Sequence, residues 1–400
     1  MPKKYLDINV FEAAKQRIAW TFDTFPRISV SFSGGKDSTV MLHLVMDEAA
    51  KRCRKVGVLF IDMEGQYKLT VEHTEEMFEM YKDHADPYWV ALPMALRNAV
   101  SQYEPKWTAW EPGKDWIRQP PKMAITDERY FPFYNYDMEF EEFVPEFNKW
   151  YADGKLTACF VGIRSDESLN RYRTIASDTK TAFEDKQYTT WTGGNTYNVY
   201  PIYDWKTQDI WTYTGKFNKP YNRVYDLMHQ AGLTPHQMRL CQPYGDDQRK
   251  GLWLFQILEP ETWAKIVARV NGANSGALYA KESGNVLGNI KITKPEGHTW
   301  ESFAKMLLAS MPENTRTHYE NKIAVFLKWY MHRGYENGIP DYEDPKKEAA
   351  REVPSWRRVC KSLLKNDYWM KGLSFTQHKS TAYHKYLKVM ERRRKQWGIF

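Results

Sequence analysis

The sequence predicts an α/β fold, in which a doubly wound, parallel, five-stranded sheet is followed by a mainly helical C-terminal domain. Two observations lead to this fold class. In the first 205 residues, five short apolar runs alternate with segments whose apolar residues recur at helical spacing. Beyond Leu240 the pattern becomes predominantly helical. Strands that alternate with helices along a chain are typical of parallel sheets covered by helices on both faces.

The five predicted strands are short and rich in apolar or β-branched residues. They lie at residues 27–33, 56–61, 88–92, 157–162 and 198–202. The second run, VGVLFI, is apolar throughout, which indicates a strand buried on both faces of a parallel sheet. Between the first three strands, residues 37–52 and 70–83 are predicted to form helices.

The 400-residue chain has the composition of a globular protein, with 42% hydrophobic and 27% charged residues. Its net charge of +7 favours an anionic ligand and permits nucleic acid, but is too small for a protein that coats DNA. Four widely separated cysteines support neither a zinc ribbon nor a disulfide framework. Because no apolar segment approaches the roughly 20 residues that span a bilayer, we expect a soluble cytoplasmic protein without a membrane partner.

The most specific motif lies between the first predicted strand and the first predicted helix. It reads SGGKDS and consists of Ser33, Gly34, Gly35, Lys36, Asp37 and Ser38. Glycines let backbone N–H groups approach an anion closely, and the following helix adds free N–H groups and the positive end of its dipole. Lys36 adds a mobile positive charge, the serines add hydroxyl donors, and the Asp37 carboxylate suits a Mg²⁺ ion bridged to phosphates. The motif therefore predicts a polyphosphate site.

Three segments together resemble the PP-loop superfamily of ATP pyrophosphatases. The first is the SGGKDS motif; the others are GIRSDES at residues 162–168, followed by Arg171, and YPIYDWKTQDIW at residues 200–211. Within the superfamily the chain looks closest to the branch that contains phosphoadenylyl sulfate (PAPS) reductase, the ATP sulfurylase small subunit and DndC-like proteins. Its C-terminal part resembles an uncharacterised bacterial and phage family of PAPS-reductase-like proteins.

The resemblance implies a fold of the adenine nucleotide alpha hydrolase type and a reaction on ATP. In this superfamily an acceptor attacks the α-phosphate, pyrophosphate leaves and the acceptor becomes adenylylated. The resemblance implies ATP and Mg²⁺ as cofactors, with catalysis by Lys36, Asp37 and Arg164. It also implies nucleotide contacts from the six motif residues and from Asp62, Gly162, Arg164 and Arg171.

Three of these residues have alternative interpretations. Arg164 and Arg171 have the chemistry of a bidentate clamp on phosphate or sulfate, or they are surface arginines paired with Asp166 and Glu167. Asp62 follows the second strand at the edge where open α/β sheets bind ligands. There it would contact ribose or Mg²⁺, or it is an ordinary turn residue.

The sequence departs from PAPS reductase at the residues that carry reduction. That enzyme relies on a cysteine in a C-terminal ECGxH motif, whereas the last residues here are QWGIF and no cysteine follows Cys360. The paired cysteines of iron–sulfur reductases are absent too. Reduction of PAPS is therefore disfavoured, and Lys36 with Asp37 favours ATP. Cys241 remains as a thiol candidate, with a small buried side chain as the alternative.

These assignments divide the chain into regions. Residues 1–235 are expected to form the PP-loop nucleotide-binding domain, with residues 100–153 as an aromatic-rich insertion or lid, and residues 236–400 to form the helical domain. The helical domain ends in a basic cluster of Arg392, Arg393, Arg394 and Lys395. This cluster would suit phosphate contacts and Trp107, Trp110 and Trp116 would suit base stacking on nucleic acid. The alternative is a solvated helix face and a packed lid.

Three functions are compatible with this pattern. The leading hypothesis is an ATP-cleaving enzyme that adenylylates an acceptor in sulfur transfer or nucleic-acid modification. A second is a nucleotide-binding regulator that acts with a partner protein or DNA, and a third is a PAPS-binding enzyme of sulfur metabolism. The acceptor stays open among sulfate, a protein thiocarboxylate, a tRNA base and DNA, as does the oligomeric state.

Overall fold

The chain forms two compact units, each built from three separate stretches. The computed structural model describes residues 7–101, 103–177, 180–241, 244–245, 251–273 and 292–375. The first unit contains Met1–Met94, Ala109–Cys241 and Ile257–Thr262, and the second contains Ala95–Thr108, Gln242–Gln256 and Trp263–Phe400. The boundary expected at residue 235 lies inside the second stretch of the first unit, and the expected domain division stays a prediction.

A six-stranded sheet forms the centre of the first unit. The strands in the described part of the chain are β1 Arg27–Phe32, β2 Val56–Ile61, β3 Ala85–Val90, β4 Met94–Arg97, β5 Lys106–Ala109, β6 Met138–Glu139, β7 Thr157–Val161, β8 Thr189–Gly193 and β9 Thr196–Val199. The central sheet has the order β3-β2-β1-β7-β9-β8. Its neighbouring strands are parallel except for the pair β8 and β9. The five predicted parallel strands are therefore confirmed, although the third and the fifth, β3 and β9, begin and end two or three residues earlier than predicted.

The sixth strand, β8, was not predicted. Its sequence, TTWTG, contains no apolar run, because the strand lies at the sheet edge and alternates between buried and exposed residues. It pairs antiparallel with β9, and only Gly194 and Asn195 connect the two strands. A Gly-Asn pair between two short β-rich segments is a hairpin signal that the sequence does contain.

Helices of the first unit cover both faces of the central sheet. They are α1 Val10–Thr24, α2 Lys36–Lys51, α3 Lys68–Met80, α4 Phe140–Ala152, α5 Leu169–Ala176, α6 Thr207–Lys216 and α7 Val224–Gln230. Val58 and Phe60 of β2 pack in one core cluster with residues of α1, α2 and α3. Leu59 packs in a different cluster with Phe143 and Phe147 of α4. Because successive strand side chains point to opposite faces, the doubly wound arrangement is confirmed.

The second unit is mainly helical, as the sequence predicted. The remaining described helices are α8 Leu252–Leu258, α9 Pro260–Arg269, α10 Trp300–Ala309, α11 Glu313–Met331, α12 Pro345–Ala350 and α13 Trp356–Leu364, followed by a short 3₁₀ helix, Lys371–Leu373. The end of α8 and the start of α9 belong to the first unit, which includes Ile257–Thr262. The core of this unit contains Trp300 of α10, Tyr319 and Phe326 of α11, and Val359 and Leu363 of α13. None of the helices in the described ranges has the length and apolar character needed to cross a membrane.

The stretch expected as an insertion or lid, residues 100–153, ends in a regular helix. The N-terminus of α4 is capped by the Glu142 side chain, which accepts the N–H of Glu139 at 3.3 Å. Near its other end, the Tyr151 hydroxyl accepts the N–H of Gly57 in β2 at 2.9 Å. A Cβ at Gly57 would lie 2.7 Å from the Tyr151 ring. Residues 140–152 therefore form a helix that packs against the central sheet. A lid role stays a prediction for the residues before α4.

The end of β7 approaches the start of α2 closely at Gly162. A Cβ at this position would lie 3.1 Å from the Cα and 3.2 Å from the backbone nitrogen of Ser38. Both neighbours belong to helix backbone, which cannot move aside as the end of a flexible side chain can. Packing alone therefore accounts for a glycine at position 162.

Two buried histidines connect α2 to its surroundings. The Nε2–H of His43 donates to the Pro220 carbonyl at 2.8 Å, so Nδ1 accepts from the Tyr81 hydroxyl at 2.5 Å. His73 Nε2 lies 3.0 Å from the Thr39 hydroxyl. Burial lowers the pKa of His43 and of His73 from 6.5 to about 4, because a charged imidazole loses its hydration there.

Gly162→Ala should destabilise the protein, because the added methyl group must displace the first turn of α2. We expect the free energy of unfolding to fall by about 1–3 kcal/mol. Gly215→Ala in α6 is the matched control, since a Cβ there meets nothing within 4 Å and alanine is the better helix former by up to about 1 kcal/mol. Urea denaturation of both variants tests this. Equal stabilities would contradict the close approach.

The stability of the protein should fall as the pH falls from about 6.5 to about 4. The folded-state pKa of each histidine lies below its unfolded value, so the unfolded chain binds more protons in this window. Each histidine contributes up to about 1.4 kcal/mol per pH unit to the slope. Urea denaturation across this range should give a shallower slope for His43→Gln than for the wild type. The control is His84→Gln, at a half-buried histidine outside these contacts; a slope unchanged by His43→Gln would contradict the assignment.

Candidate active site

The SGGKDS motif forms a tight turn, the glycine turn (residues 33–38), that connects β1 to α2. Gly34 has a φ of +69°, and a Cβ there would lie 2.8 Å from Cγ2 of Thr70. Gly35 is the N-cap residue of α2 and provides no side chain to cap the helix. The Ser33 and Ser38 hydroxyls lie 2.9 Å apart across the turn. The turn therefore requires glycine at position 34 and leaves the helix N-terminus without a side-chain cap.

Two side chains about 190 residues later in the sequence form hydrogen bonds to the backbone of the glycine turn. The Asn222 amide donates to the Gly34 carbonyl and to the Thr70 hydroxyl, both at 2.9 Å. The Tyr225 hydroxyl accepts the N–H of Lys36 at 3.0 Å. Since both side chains are buried, the turn backbone is fixed before any ligand binds.

Lys36 is a fixed charge in this structure rather than the mobile one expected. It is only 6% exposed. Its Nζ donates to the Met238 carbonyl at 3.1 Å and lies 3.4 Å from Oδ2 of Asp37. The Tyr225 ring lies below the ammonium group, with 5.5 Å between Nζ and the ring centroid. The positive charge is thereby held beside the first turn of α2.

Arg164 binds Asp37 and the start of α6. Its Nε donates to Oδ1 of Asp37 at 2.6 Å, and its other nitrogens donate to the Trp205 carbonyl at 3.3 Å and to the Thr207 hydroxyl at 3.2 Å. The Arg164 side chain is 2% exposed. Arg164 thus positions the Asp37 carboxylate at the glycine turn.

Arg171 has a different environment, which matches the alternative of a surface pair. It lies on α5, its side chain is 42% exposed, and its Nε contacts the Glu167 carboxylate at 2.9 Å. Arg164 lies 3.8 Å from Asp166, which is a weaker contact than the one with Asp37. In this arrangement the two arginines do not form a joint clamp.

Asp62 directly follows β2, as expected, but its carboxylate is already engaged. Its side chain is fully buried and forms an ion pair with Arg118. Oδ2 accepts the indole N–H of Trp89 at 2.8 Å, and Oδ1 accepts the N–H of Glu64 at 3.1 Å. In this arrangement Asp62 is not available to ribose or Mg²⁺.

Glu64 anchors the aromatic-rich stretch at the same edge of the sheet. Its carboxylate is buried and accepts the N–H of Trp110 at 2.6 Å and that of Ile117 at 3.0 Å. The Trp110 indole donates to the Asp62 carbonyl at 2.6 Å. Two carboxylates therefore fix residues 110–118 at the carboxyl end of β2.

The tryptophans proposed for base stacking are mostly internal. Trp107 and Trp110 are buried. Trp116 is half-buried and packs edge-on against Trp110, with ring centroids 5.4 Å apart. The interpretation of base stacking is therefore wrong for Trp107 and Trp110 in this arrangement, and the packed alternative is confirmed for them. The basic cluster at residues 392–395 lies outside the described residues.

The thiol candidate, Cys241, lies near the glycine turn. It is half-buried, whereas Cys159 and Cys360 are buried. Burial raises the pKa of the Tyr225 hydroxyl, and the nearby charge of Asp37 adds to this rise. Tyr225 is thus a neutral phenol beside the turn. Among the described residues, no three His, Cys, Asp or Glu side chains are gathered as metal ligands.

Sequence reasoning missed the residues that support the turn. Asn222, Tyr225 and Thr70 belong to none of the three motifs. The available signal was weak: Asn222 precedes α7, where its side chain accepts the N–H of Val224 at 3.0 Å, a common helix start. That signal predicts a helix and gives no indication of a partner about 190 residues earlier.

Comparison with known proteins gives matches over almost the whole chain. The family described as "Phosphoadenosine phosphosulfate reductase domain" matches residues 27–231, and "Domain of unknown function (DUF3440)" matches residues 232–338. YbdN of Escherichia coli strain K12, described as uncharacterized, is 47% identical over 98% of this chain and 97% of its own length.

Two more distant similarities each cover a little over half of the chain. Adenosine 5'-phosphosulfate reductase 2 of Bacillus subtilis strain 168 is 22% identical over 59% of this chain and 83% of its own length. The crystal structure of PAPS reductase from Candida auris is similar at a TM-score of 0.31 and 13% identity, covering 57% of this chain and 95% of that one. The match to residues 27–231, which contains the glycine turn, Arg164 and the six-stranded sheet, shows that the chain belongs to the PAPS reductase domain family.

Proposed function

We propose that this protein is a Mg²⁺-dependent enzyme that cleaves ATP between the α- and β-phosphates and transfers the adenylyl group to an acceptor. The observation that carries the proposal is the glycine turn, with Gly34 at positive φ before a helix whose N-cap residue, Gly35, has no capping side chain. Among the first N–H groups of this helix, that of Lys36 is accepted by the Tyr225 hydroxyl. Lys36, Asp37 and Arg164 lie in contact at the same helix end. An α/β enzyme of this kind would act in the cytoplasm, where ATP is available.

The turn has the properties of a polyphosphate site. A helix N-terminus favours an anion by about 0.3–1 kcal/mol on exposed surfaces and more when partly buried, and here the Lys36 ammonium adds a full charge. The Ser33 and Ser38 hydroxyls, 2.9 Å apart, belong to the same turn. A phosphate oxygen would replace the Met238 carbonyl as the acceptor for Lys36 Nζ. Because the turn is fixed beforehand, binding requires little rearrangement of its backbone.

The same groups favour bond cleavage at the α-phosphate. A nucleophilic oxygen, nitrogen or sulfur of the acceptor bonds to the α-phosphorus, and the bond from that phosphorus to the α–β bridging oxygen breaks. Negative charge then develops on the departing pyrophosphate, next to the turn N–H groups and Lys36. Fixed donors of this kind stabilise a transition state because they need no reorganisation during the reaction.

Asp37 is the residue that would contact a nucleotide-bound Mg²⁺. Its Oδ1 accepts from Arg164 at 2.6 Å, whereas Oδ2 has only a 3.4 Å contact with Lys36 Nζ, so lone pairs remain. Mg²⁺ in nucleotide sites needs one or two carboxylates besides phosphates and water, which fits this single acidic residue. When bound, the ion would neutralise charge on the phosphate oxygens.

The relatives support a nucleotide with an adenylyl group, since those from Bacillus subtilis and Halalkalibacterium halodurans are named adenosine 5'-phosphosulfate reductases. Two other functions would give different results when turnover of α-labelled ATP and the binding of ATP and PAPS are both measured. A regulator would bind ATP without releasing AMP or an AMP adduct. A PAPS-type enzyme would bind PAPS more tightly than ATP. The proposed adenylyl transfer would serve as a step in sulfur transfer or in the modification of a nucleic acid.

Lys36→Ala should abolish most turnover of α-labelled ATP. Loss of one preformed donor to a developing oxyanion costs about 100-fold or more in rate. The matched control is Lys51→Ala at the other end of α2, where the lysine side chain is 61% exposed and paired with Glu48. Circular dichroism of both variants checks that each is folded. Turnover by folded Lys36→Ala equal to that of Lys51→Ala would contradict the site.

Arg164→Lys should lower kcat strongly while the protein stays folded. Lysine keeps the positive charge but cannot contact Asp37, Trp205 and Thr207 together. A displaced catalytic group costs about 100-fold in rate. Arg17→Lys serves as control, since Arg17 pairs with Asp204 at 2.6 Å in the same unit and contacts none of the turn residues in the described bonds. If the two variants lose stability equally and both retain kcat, Arg164 has only a structural role.

A further inference from the structure

A cavity of about 560 Å³ lies in the first unit beside the glycine turn. Among the residues that line it are Thr207 and Trp211 of α6, Tyr221, Tyr225 and Asp226 at the start of α7, and Met238. The volume lies within the range of about 300–1,000 Å³ that is typical of pockets for whole small molecules. We refer to it as the α6–α7 cavity.

The α6–α7 cavity shares two residues with the surroundings of the proposed phosphate site. Tyr225 and Met238 line the cavity, and both contact Lys36: the Tyr225 hydroxyl accepts its backbone N–H, and the Met238 carbonyl accepts its Nζ. Thr207, also in the lining, accepts from Arg164 at 3.2 Å. A molecule in the cavity would therefore lie next to a nucleotide bound at the turn.

The lining is aromatic and contains a buried donor. Trp211 packs edge-to-face with Tyr221 and Tyr225, at centroid separations of 5.5 and 5.6 Å and interplanar angles of 89° and 84°. The indole Nε1–H of Trp211 is buried and has no hydrogen-bond partner in the described part of the protein. Because this N–H is buried away from open space, the aromatic side chains of the lining, rather than the N–H, are the groups that a ligand would contact.

The described lining of the cavity contains no permanent positive charge. None of the residues is Lys or Arg, and the basic groups among them are the histidines His229 and His236. The one acidic residue, Asp226, accepts from the Tyr221 hydroxyl at 2.7 Å and contacts Arg223 Nε at 2.7 Å. This lining favours an uncharged ligand over a fully ionised one such as sulfate, which would lose hydration there without a permanent cationic partner.

We propose that the α6–α7 cavity binds an uncharged planar heterocycle that belongs to the second substrate, the adenylyl acceptor. Flat rings pack against Trp and Tyr side chains, and their ring nitrogens or carbonyl oxygens accept hydrogen bonds. The volume is larger than a single purine ring of the nucleotide requires. The role as acceptor site rests on the proposed function, whereas the binding of a heterocycle does not.

Equilibrium binding without ATP tests the proposal. The probes are uridine, guanosine and riboflavin as uncharged heterocycles, and sulfate and acetate as anions. At least one heterocycle should bind, and Trp211→Ala should weaken it by about tenfold or more through loss of the aromatic contact. Trp211→Phe keeps a smaller aromatic ring, so it should weaken binding less than Trp211→Ala does. The control is Trp191→Ala on β8, which removes an exposed tryptophan of the same unit and should leave binding unchanged.

Several results would overturn the proposal. They are the absence of heterocycle binding, equal binding by the Trp211 and Trp191 variants, and displacement of the heterocycle by sulfate. Competition between the heterocycle and ATP, with ATP affinity lowered equally by Trp211→Ala, would assign the cavity to the adenine ring instead. Simultaneous binding of heterocycle and ATP supports the proposal. If Trp211→Ala fails to fold, weaker heterocycle binding by Trp211→Phe supports it instead.

The outcomes separate this proposal from the proposed function. Heterocycle binding that depends on Trp211, in a protein that never cleaves ATP, would retain the binding site and reject the adenylyl transfer. ATP cleavage that is lost in Lys36→Ala, with no heterocycle bound by the wild type, would retain the enzyme and reject the α6–α7 cavity as the acceptor site.

Discussion

The buried contact between Arg164 and Asp37 is the interaction on which the candidate site depends. Its Nε–Oδ1 distance is 2.6 Å, and the remaining guanidinium nitrogens donate to the Trp205 carbonyl and the Thr207 hydroxyl. A buried ion pair is tolerated when its other donors are satisfied, and removal of one partner costs about 3–5 kcal/mol. Because Arg164 follows β7, Asp37 lies in the first turn of α2 and Thr207 begins α6, one side chain connects three elements around the glycine turn. The orientation of the only acidic group in the turn follows from it.

Two neighbouring regions of the first unit have opposite chemistry. The glycine turn presents a helix N-terminus, a lysine and two hydroxyls, which suit phosphates. The α6–α7 cavity presents aromatic rings and, among its described lining residues, neither Lys nor Arg, which suits a neutral ring. Tyr225 belongs to both regions, since its hydroxyl accepts from Lys36 while the residue lines the cavity. Such a division lets one protein bind a polyphosphate and an uncharged group side by side without competition between them.

The sequence predicted the parts of the fold that depend on local pattern. The five parallel strands were visible because strands buried on both faces are apolar runs, and the glycine turn was visible because its residues are consecutive. The edge strand β8 was missed because it is polar. The surroundings of Asp62 could not be predicted, since its partners Trp89 and Arg118 depend on strand register and on the path of residues 110–118. The contacts of Lys36 with Tyr225 and Met238 bridge about 190 and 200 residues, and no spacing rule connects such positions.

A crystal structure with α,β-methylene ATP and Mg²⁺ tests the central claim most directly, because this analogue cannot be cleaved between its first two phosphates. We expect its β- and γ-phosphate oxygens to accept hydrogen bonds of about 2.7–3.2 Å from backbone N–H groups of residues 34, 35, 37 and 38, with Lys36 Nζ within the same distance. Phosphates bound elsewhere on the protein, with the glycine turn unchanged and Lys36 still on the Met238 carbonyl, would contradict the account.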